Sequence, residues 1–131
     1  MQSKFLFRLR QFDKIVGYKK FVTSKLYFYS KDLYAFDDNE IEYDDQDFFS
    51  GYYCKNNKPI FENDILKIDS DLIILKSNKI STELSFFKLS ENSISIIEEN
   101  YFKNISRKLM PYSYLYLNKT LEEKIINLET Q

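Results

Sequence analysis

Polar and apolar residues alternate with a period of two over most of this chain, and a helical period shows only near its C-terminal end. In residues 4–10, Phe5, Phe7 and Leu9 fall on one face and Lys4, Arg8 and Arg10 on the other, the pattern of a half-buried strand. Residues 14–22 and 24–30 read as a hairpin turning near Thr23-Ser24. Lys25-Leu26-Tyr27-Phe28-Tyr29 is almost wholly apolar after its lysine, which predicts a strand covered on both faces or lying at an interface. Residues 31–36 form a connection. Residues 71–76, 80–89 and 94–98 predict a three-stranded meander, turning at 77–79 and 90–93. Residues 101–110 suggest a short helical turn before Pro111, and 112–117 a last strand. Thr120-Leu121-Glu122-Glu123 has the spacing of a capping box, after which Leu121, Ile125 and Leu128 share one helix face.

The most specific text is residues 49–68, FSGYYCKNNKPIFENDILKI. It reads as strand, tight turn, short strand, turn, strand. Phe48, Phe49, Tyr52 and Tyr53 surround Gly51, one of only two glycines, and a glycine inside a strand pattern suggests a bulge or a close backbone approach. Asn56-Asn57 suits a tight turn because asparagine tolerates the left-handed conformation. Pro59 belongs at a strand start or edge. Glu62-Asn63-Asp64 is a second turn, with Asn63 where a glycine often sits.

This segment resembles the signature of the YopX family of phage and prophage proteins. The family's aromatic-Thr-Gly is matched by Phe49-Ser50-Gly51, and its Ile-Tyr-Glu-Gly-Asp-Ile by Ile60-Phe61-Glu62-Asn63-Asp64-Ile65, with Asn57 and Asn63 in place of two family glycines. The opening Lys4-Phe5-Leu6-Phe7-Arg8 is similar to the family's first strand, and Leu115-Tyr116-Leu117-Asn118 to its last strand exit. The resemblance implies a small β-rich phage-type protein and implies no known enzymatic activity.

At 131 residues the chain predicts a single domain, 1–131, that is mainly β (α+β): a small antiparallel β-barrel or sheet with a short C-terminal helix. A division into 1–47 and 48–131 is suggested by charge. Residues 1–31 carry eight basic and one acidic residue, 32–50 eight acidic and none basic, and 51–131 eleven of each. One cysteine, Cys54, permits no internal disulfide and fits a reducing cytoplasm, which the phage-family resemblance implies is that of a host bacterial cell. The start reads as neither signal peptide nor membrane span, so no membrane partner is expected.

There is no histidine, which removes the commonest general base and both familiar nucleophile triads. Glycine-rich phosphate loops are absent, and Asp37-Asp38-Asn39 does not continue as a calcium loop. The sequence therefore predicts no enzyme, metal or cofactor. Two surfaces remain. Asp37, Asp38, Glu40, Glu42, Asp44, Asp45 and Asp47 predict an acidic strand that mimics nucleic acid toward a basic groove, or one that simply pairs with the basic first strands or guards an edge. Lys4, Arg8, Arg10, Tyr18, Lys19, Lys20, Lys25, Tyr27 and Tyr29 could bind a single nucleic-acid strand, or be core aromatics among solvated lysines. The expected function is binding of a host protein or ribonucleoprotein complex, most concretely inhibition of a defence nuclease in the manner of an anti-CRISPR protein. The alternatives are a nucleic-acid-binding barrel, or a phage oligomer joined through Tyr112, Tyr114 and Tyr116.

Overall fold

The computed structural model describes residues 6–31, 36–37, 40–78, 83–91 and 93–129, with residues 36 and 37 described by backbone alone. Among the described residues, strands and α-helices run in the order β1 Leu6–Gln11, β2 Lys14–Val22, β3 Lys25–Tyr29, β4 Phe36–Asp37, β5 Asp45–Tyr53, β6 Pro59–Phe61, β7 Asp64–Ile68, β8 Asp71–Ser77, β9 Leu84–Ser90, β10 Ser93–Ile97, α1 Glu99–Ile105, β11 Met110–Tyr114 and α2 Lys119–Glu129. One sheet has the order β4-β3-β2-β1-β5-β6 and the other β10-β9-β8-β7-β11. Each order has two ends, so the expected barrel is corrected to two open sheets. The chain divides into Met1–Gly51 and Tyr52–Gln131, a boundary inside β5 rather than after residue 47.

In the first unit β1 and β2, and then β2 and β3, are joined by two-residue hairpins built without glycine. Phe12 and Asp13, then Thr23 and Ser24, all hold positive φ between 51° and 66°. That geometry matches the twist of the flanking strands, and is normally given to asparagine or glycine. Here strand pairing imposes it on a phenylalanine and a threonine. Of the two alternatives for β3, coverage on both faces does not hold: Lys25 and Leu26 are exposed and Tyr27 to Tyr29 only partly buried. It lies near the end of its sheet, with only the two-residue β4 beyond it.

The second unit follows the 49–68 reading closely. After β5, a 3-10 turn over Lys55–Asn57 holds Asn56 and Asn57 at φ 67° and 59°. Asn63 turns the chain between β6 and β7 at φ 70°, while the buried Asp64 carboxylate accepts the Phe61 N–H at 2.8 Å. The strands β7, β8 and β9 send alternate residues to two apolar layers. Leu66, Ile73, Leu75 and Phe86 meet Cys54, Ile60, Phe102 and Leu109 on one side. Ile65, Ile74 and Phe87 meet Leu115, Leu121 and Ile125 on the other. This explains the continuous apolar run at 72–75, since a central strand covered twice has no polar face. Phe61, Phe87 and Phe102 are fully buried, each contributing about 1.5–3 kcal/mol of transfer free energy.

Two C-terminal expectations need correction. The last strand ends at Tyr114 and passes into a 3-10 turn over Leu115–Leu117. The cap of α2 is Asn118 rather than Thr120: its Oδ1 accepts the Leu121 N–H at 3.1 Å. Thr120 lies inside the helix, so the capping box does not form.

Candidate functional site

Strand register decides what the first unit can present. Arg8 lies opposite Asp47 and Arg10 opposite Asp45 on the paired strands β1 and β5. Cross-strand partners share a face, so the guanidinium groups converge on the carboxylates. Arg8 Nε donates to Asp47 Oδ2 at 3.0 Å. Arg10 donates through Nε to Oδ2 at 3.0 Å and through Nη2 to Oδ1 at 2.9 Å. Arg10 also meets Asp45 at 3.2 Å and Asp13 at 3.5 Å. Arg8, Arg10 and Asp47 are 3%, 5% and 0% exposed. Three candidates therefore leave the surface. Asp47 is not a protein-contacting carboxylate, and Arg8 and Arg10 are not phosphate ligands. The pairing that was one of the two readings of the acidic run holds for this part of it.

Asp37 lies in the two-residue β4 and Asp45 opens β5, but Glu40, Glu42 and Asp44 between them are not in a strand. β5 begins at Asp45, and residues 40–43 cross the first sheet as an irregular strap. Gly17 makes room for it: a β-carbon there would stand 2.5 Å from Ile41 Cδ1 and 2.6 Å from the Tyr29 carbonyl oxygen. Tyr43 accepts a hydrogen bond from Lys19 Nζ at 2.6 Å, and that ammonium also lies 4.7 Å from the Tyr43 ring centroid and 5.2 Å from that of Phe7. Lys19 is thus nearly buried and is corrected out of the nucleic-acid set. The strap ends where the Asp44 N–H donates to the Arg10 carbonyl at 2.9 Å and Asp44 Oδ2 accepts from the Phe12 N–H at 3.1 Å. Ile41 and Tyr43 are partly buried while Glu40, Glu42 and Asp44 are exposed, as is Asp45. The alternation expected of these residues is present; the ladder is not. Asp38 and the side chain of Asp37 lie outside the described residues.

The basic and aromatic candidates divide by face. Tyr18 pairs with Tyr29, Lys20 with Tyr27 and Val22 with Lys25, which puts all six on one face of the β2–β3 hairpin. Lys20 and Lys25 are exposed, the three tyrosines half-buried, and Lys25 Nζ lies 5.4 Å from the Tyr27 ring centroid. The other face shows Phe21 and Leu26, each 40% exposed. Every residue from 20 to 26 is exposed, so the end of the hairpin is open on both faces. Lys4 lies outside the described residues.

In the second unit, Tyr52 donates to Glu99 at 2.5 Å. Burial, the hydrogen bond and the carboxylate charge, in that order, push its phenol up to about 12. Burial and then the nearby Asp64 carboxylate push the Cys54 thiol up, away from the reactive thiolate. Tyr112 is 59% exposed and Tyr116 nearly buried, with Tyr114 stacked on it at 5.3 Å, so the expected tyrosine interface ladder does not present a single face. Among the described residues no group of three His, Cys, Asp or Glu side chains could hold a metal ion, and no helix is long and apolar enough to cross a membrane. Comparison with protein-family models, curated proteins and solved structures finds no match to this chain.

Proposed function

We propose that this is a non-catalytic, phage-type binding protein of the bacterial cytoplasm, and that its β2–β3 hairpin takes single-stranded nucleic acid. The observation that carries this reading is the register, which sets the half-buried Tyr18, Tyr27 and Tyr29 on the same face as the exposed Lys20 and Lys25. Sequence-tolerant single-strand sites need that combination of stacking rings and backbone-neutralising cations. The resemblance of residues 49–65 to the YopX signature supports a phage origin, and the buried unpaired Cys54 is compatible with a reducing compartment. A labelled oligonucleotide titrated at several salt concentrations tests the site. Two lysine contacts predict a slope of log K against log salt of about −1.4. Lys20→Gln with Lys25→Gln should flatten it, and Tyr27→Ser should weaken binding about tenfold. Absence of salt-sensitive binding would sink this reading.

The outward Glu40, Glu42 and Asp44 favour a second reading, in which the strap docks on a basic groove of a host defence nuclease or ribonucleoprotein, as an anti-CRISPR inhibitor would. Its determinants reduce to Glu40, Glu42, Asp44 and Asp45 on the described surface. Neutralising Glu40 and Glu42 would then abolish inhibition while leaving oligonucleotide binding unchanged.

A further inference from the structure

The second unit carries a hollow with two lysines in its lining and an exposed tyrosine beside it, which neither reading uses. It has a volume of about 360 Å³ and is lined by Lys67, Ile68, Asp69, Lys108 and Met110. Met110 opens β11 opposite Lys67 of β7. The register then slips between Pro111 and Ser113, leaving Tyr112 out of the ladder. A bulge re-aims the side chain it carries, and Tyr112 is accordingly 59% exposed, its ring centroid 5.7 Å from Lys67 Nζ. Lys108 ends the 3-10 turn Ser106–Lys108 that delivers the chain to β11. Elsewhere on this unit Lys76 pairs with Glu129 and Lys88 with Asp71. Lys67 and Lys108 make no ion pair among the described residues.

Two ammonium groups with no ion pair among the described residues, an exposed ring beside one of them, and the apolar side chains of Ile68 and Met110 in the lining suit a ligand that is both anionic and aromatic. We propose that this hollow binds one nucleotide, its phosphate held by Lys67 and Lys108 and its base against Tyr112. Asp69 is the one carboxylate in the lining, and leaves the site net positive beside the two lysines. It can accept from a ribose hydroxyl or a base amino group. The nucleotide is either free or one unit of a single strand. The proposal does not rest on the hairpin, because none of its residues lies in the first unit.

The test uses the full chain and a fluorescent adenosine monophosphate analogue, followed by anisotropy, with AMP, inorganic phosphate and oligothymidylate as competitors. AMP should displace the probe, and phosphate should do so at least about tenfold less well, because it cannot stack. Lys67→Gln with Lys108→Gln should weaken probe binding about tenfold or more, as should Tyr112→Ser; Lys20→Gln with Lys25→Gln should leave it unchanged. Stronger displacement by oligothymidylate, per nucleotide, identifies a strand as the natural source, and stronger displacement by AMP a free nucleotide. The proposal is overturned if the probe does not bind at about 1 mM, the weak limit of useful affinity. It is equally overturned if phosphate competes as well as AMP, or if only the hairpin variants reduce binding. Tyr112→Phe, which keeps the stacking ring, should bind like the parent and separates loss of stacking from loss of folding.

Discussion

The two units bury different chemistry. The first places Arg8, Arg10 and Asp47 within one sheet, all nearly or wholly inaccessible and bonded to one another. The second buries apolar side chains on both faces of its sheet and keeps its ion pairs, Lys76–Glu129 and Lys88–Asp71, partly exposed. The sequence difference behind this is the segregation of charge in residues 1–50 against its even mixture in 51–131. A basic block followed by an acidic block reads most readily as two opposed surface patches. In the folded chain a good part of it is instead pairing between β1 and β5, and the charges left exposed among the described residues include Lys20 and Lys25 on the hairpin and Glu40, Glu42 and Asp44 on the strap.

The largest break in that comparison is Asp47→Ala. It removes the buried carboxylate that both guanidinium groups share, leaving Arg10 the exposed partners Asp45 and Asp13 among its ion pairs, a loss of about 3–5 kcal/mol of folding free energy, readable as a fall in the urea midpoint. Replacing the three residues together, with Arg8→Met, Arg10→Met and Asp47→Leu, should recover most of that loss, making the first unit resemble the second. A triple variant as unstable as Asp47→Ala would show that the ions contribute more than their mutual compensation.

Gly17→Ala probes the strap. Its new methyl would meet the Ile41 side chain and the Tyr29 carbonyl oxygen. The side chain can yield; the backbone oxygen cannot without bending β3, so a cost of about 1–3 kcal/mol is expected, with faster proteolysis at residues 40–44. Adding Ile41→Ala should recover only part of the stability, because the carbonyl contact persists. Full recovery would mean that the strap alone sets the requirement for glycine.

The second unit offers a smaller test at α2. Asn118→Ala should cost about 1 kcal/mol, whereas Thr120→Ala, inside the helix where alanine is the better helix former, should cost nothing or stabilise by about half of that, measured by the same urea midpoints. The opposite order would restore the cap read from sequence.

These cases show what was legible and what was not. The turns of 49–68 could be read because Asn56, Asn57 and Asn63 are residues that accept positive φ, and each adopts it. The two hairpins at Phe12-Asp13 and Thr23-Ser24 carry weaker turn chemistry, and only the second was anticipated. The inward positions of Ile41 and Tyr43 followed from alternation, but alternation cannot tell a ladder from a strap; that required knowing that Gly17 lies beneath it. The Arg8–Asp47 bond joins residues 39 apart, and no local pattern reveals which strands become neighbours. The helix cap failed for a different reason, since Asn118 and Thr120 are both good caps and only the preceding 3-10 turn selects between them.

The smallest effect separates an isolated polar contact from the buried set in the first unit. Tyr52 titrates at about 12 in the folded chain against an ordinary value of 10.0. A phenol whose folded value is raised stabilises the fold while protonated, so its contribution is complete below pH 10 and is lost as the pH climbs from there toward about 12. In a tyrosinate absorbance titration, Tyr52→Phe should delete a late component, and Glu99→Gln should move that component down without returning it to 10.0, because burial is the larger cause. If Glu99→Gln removed the whole shift, the carboxylate alone would set the phenol, and the second unit would hold an electrostatic pair as consequential, for its size, as any in the first.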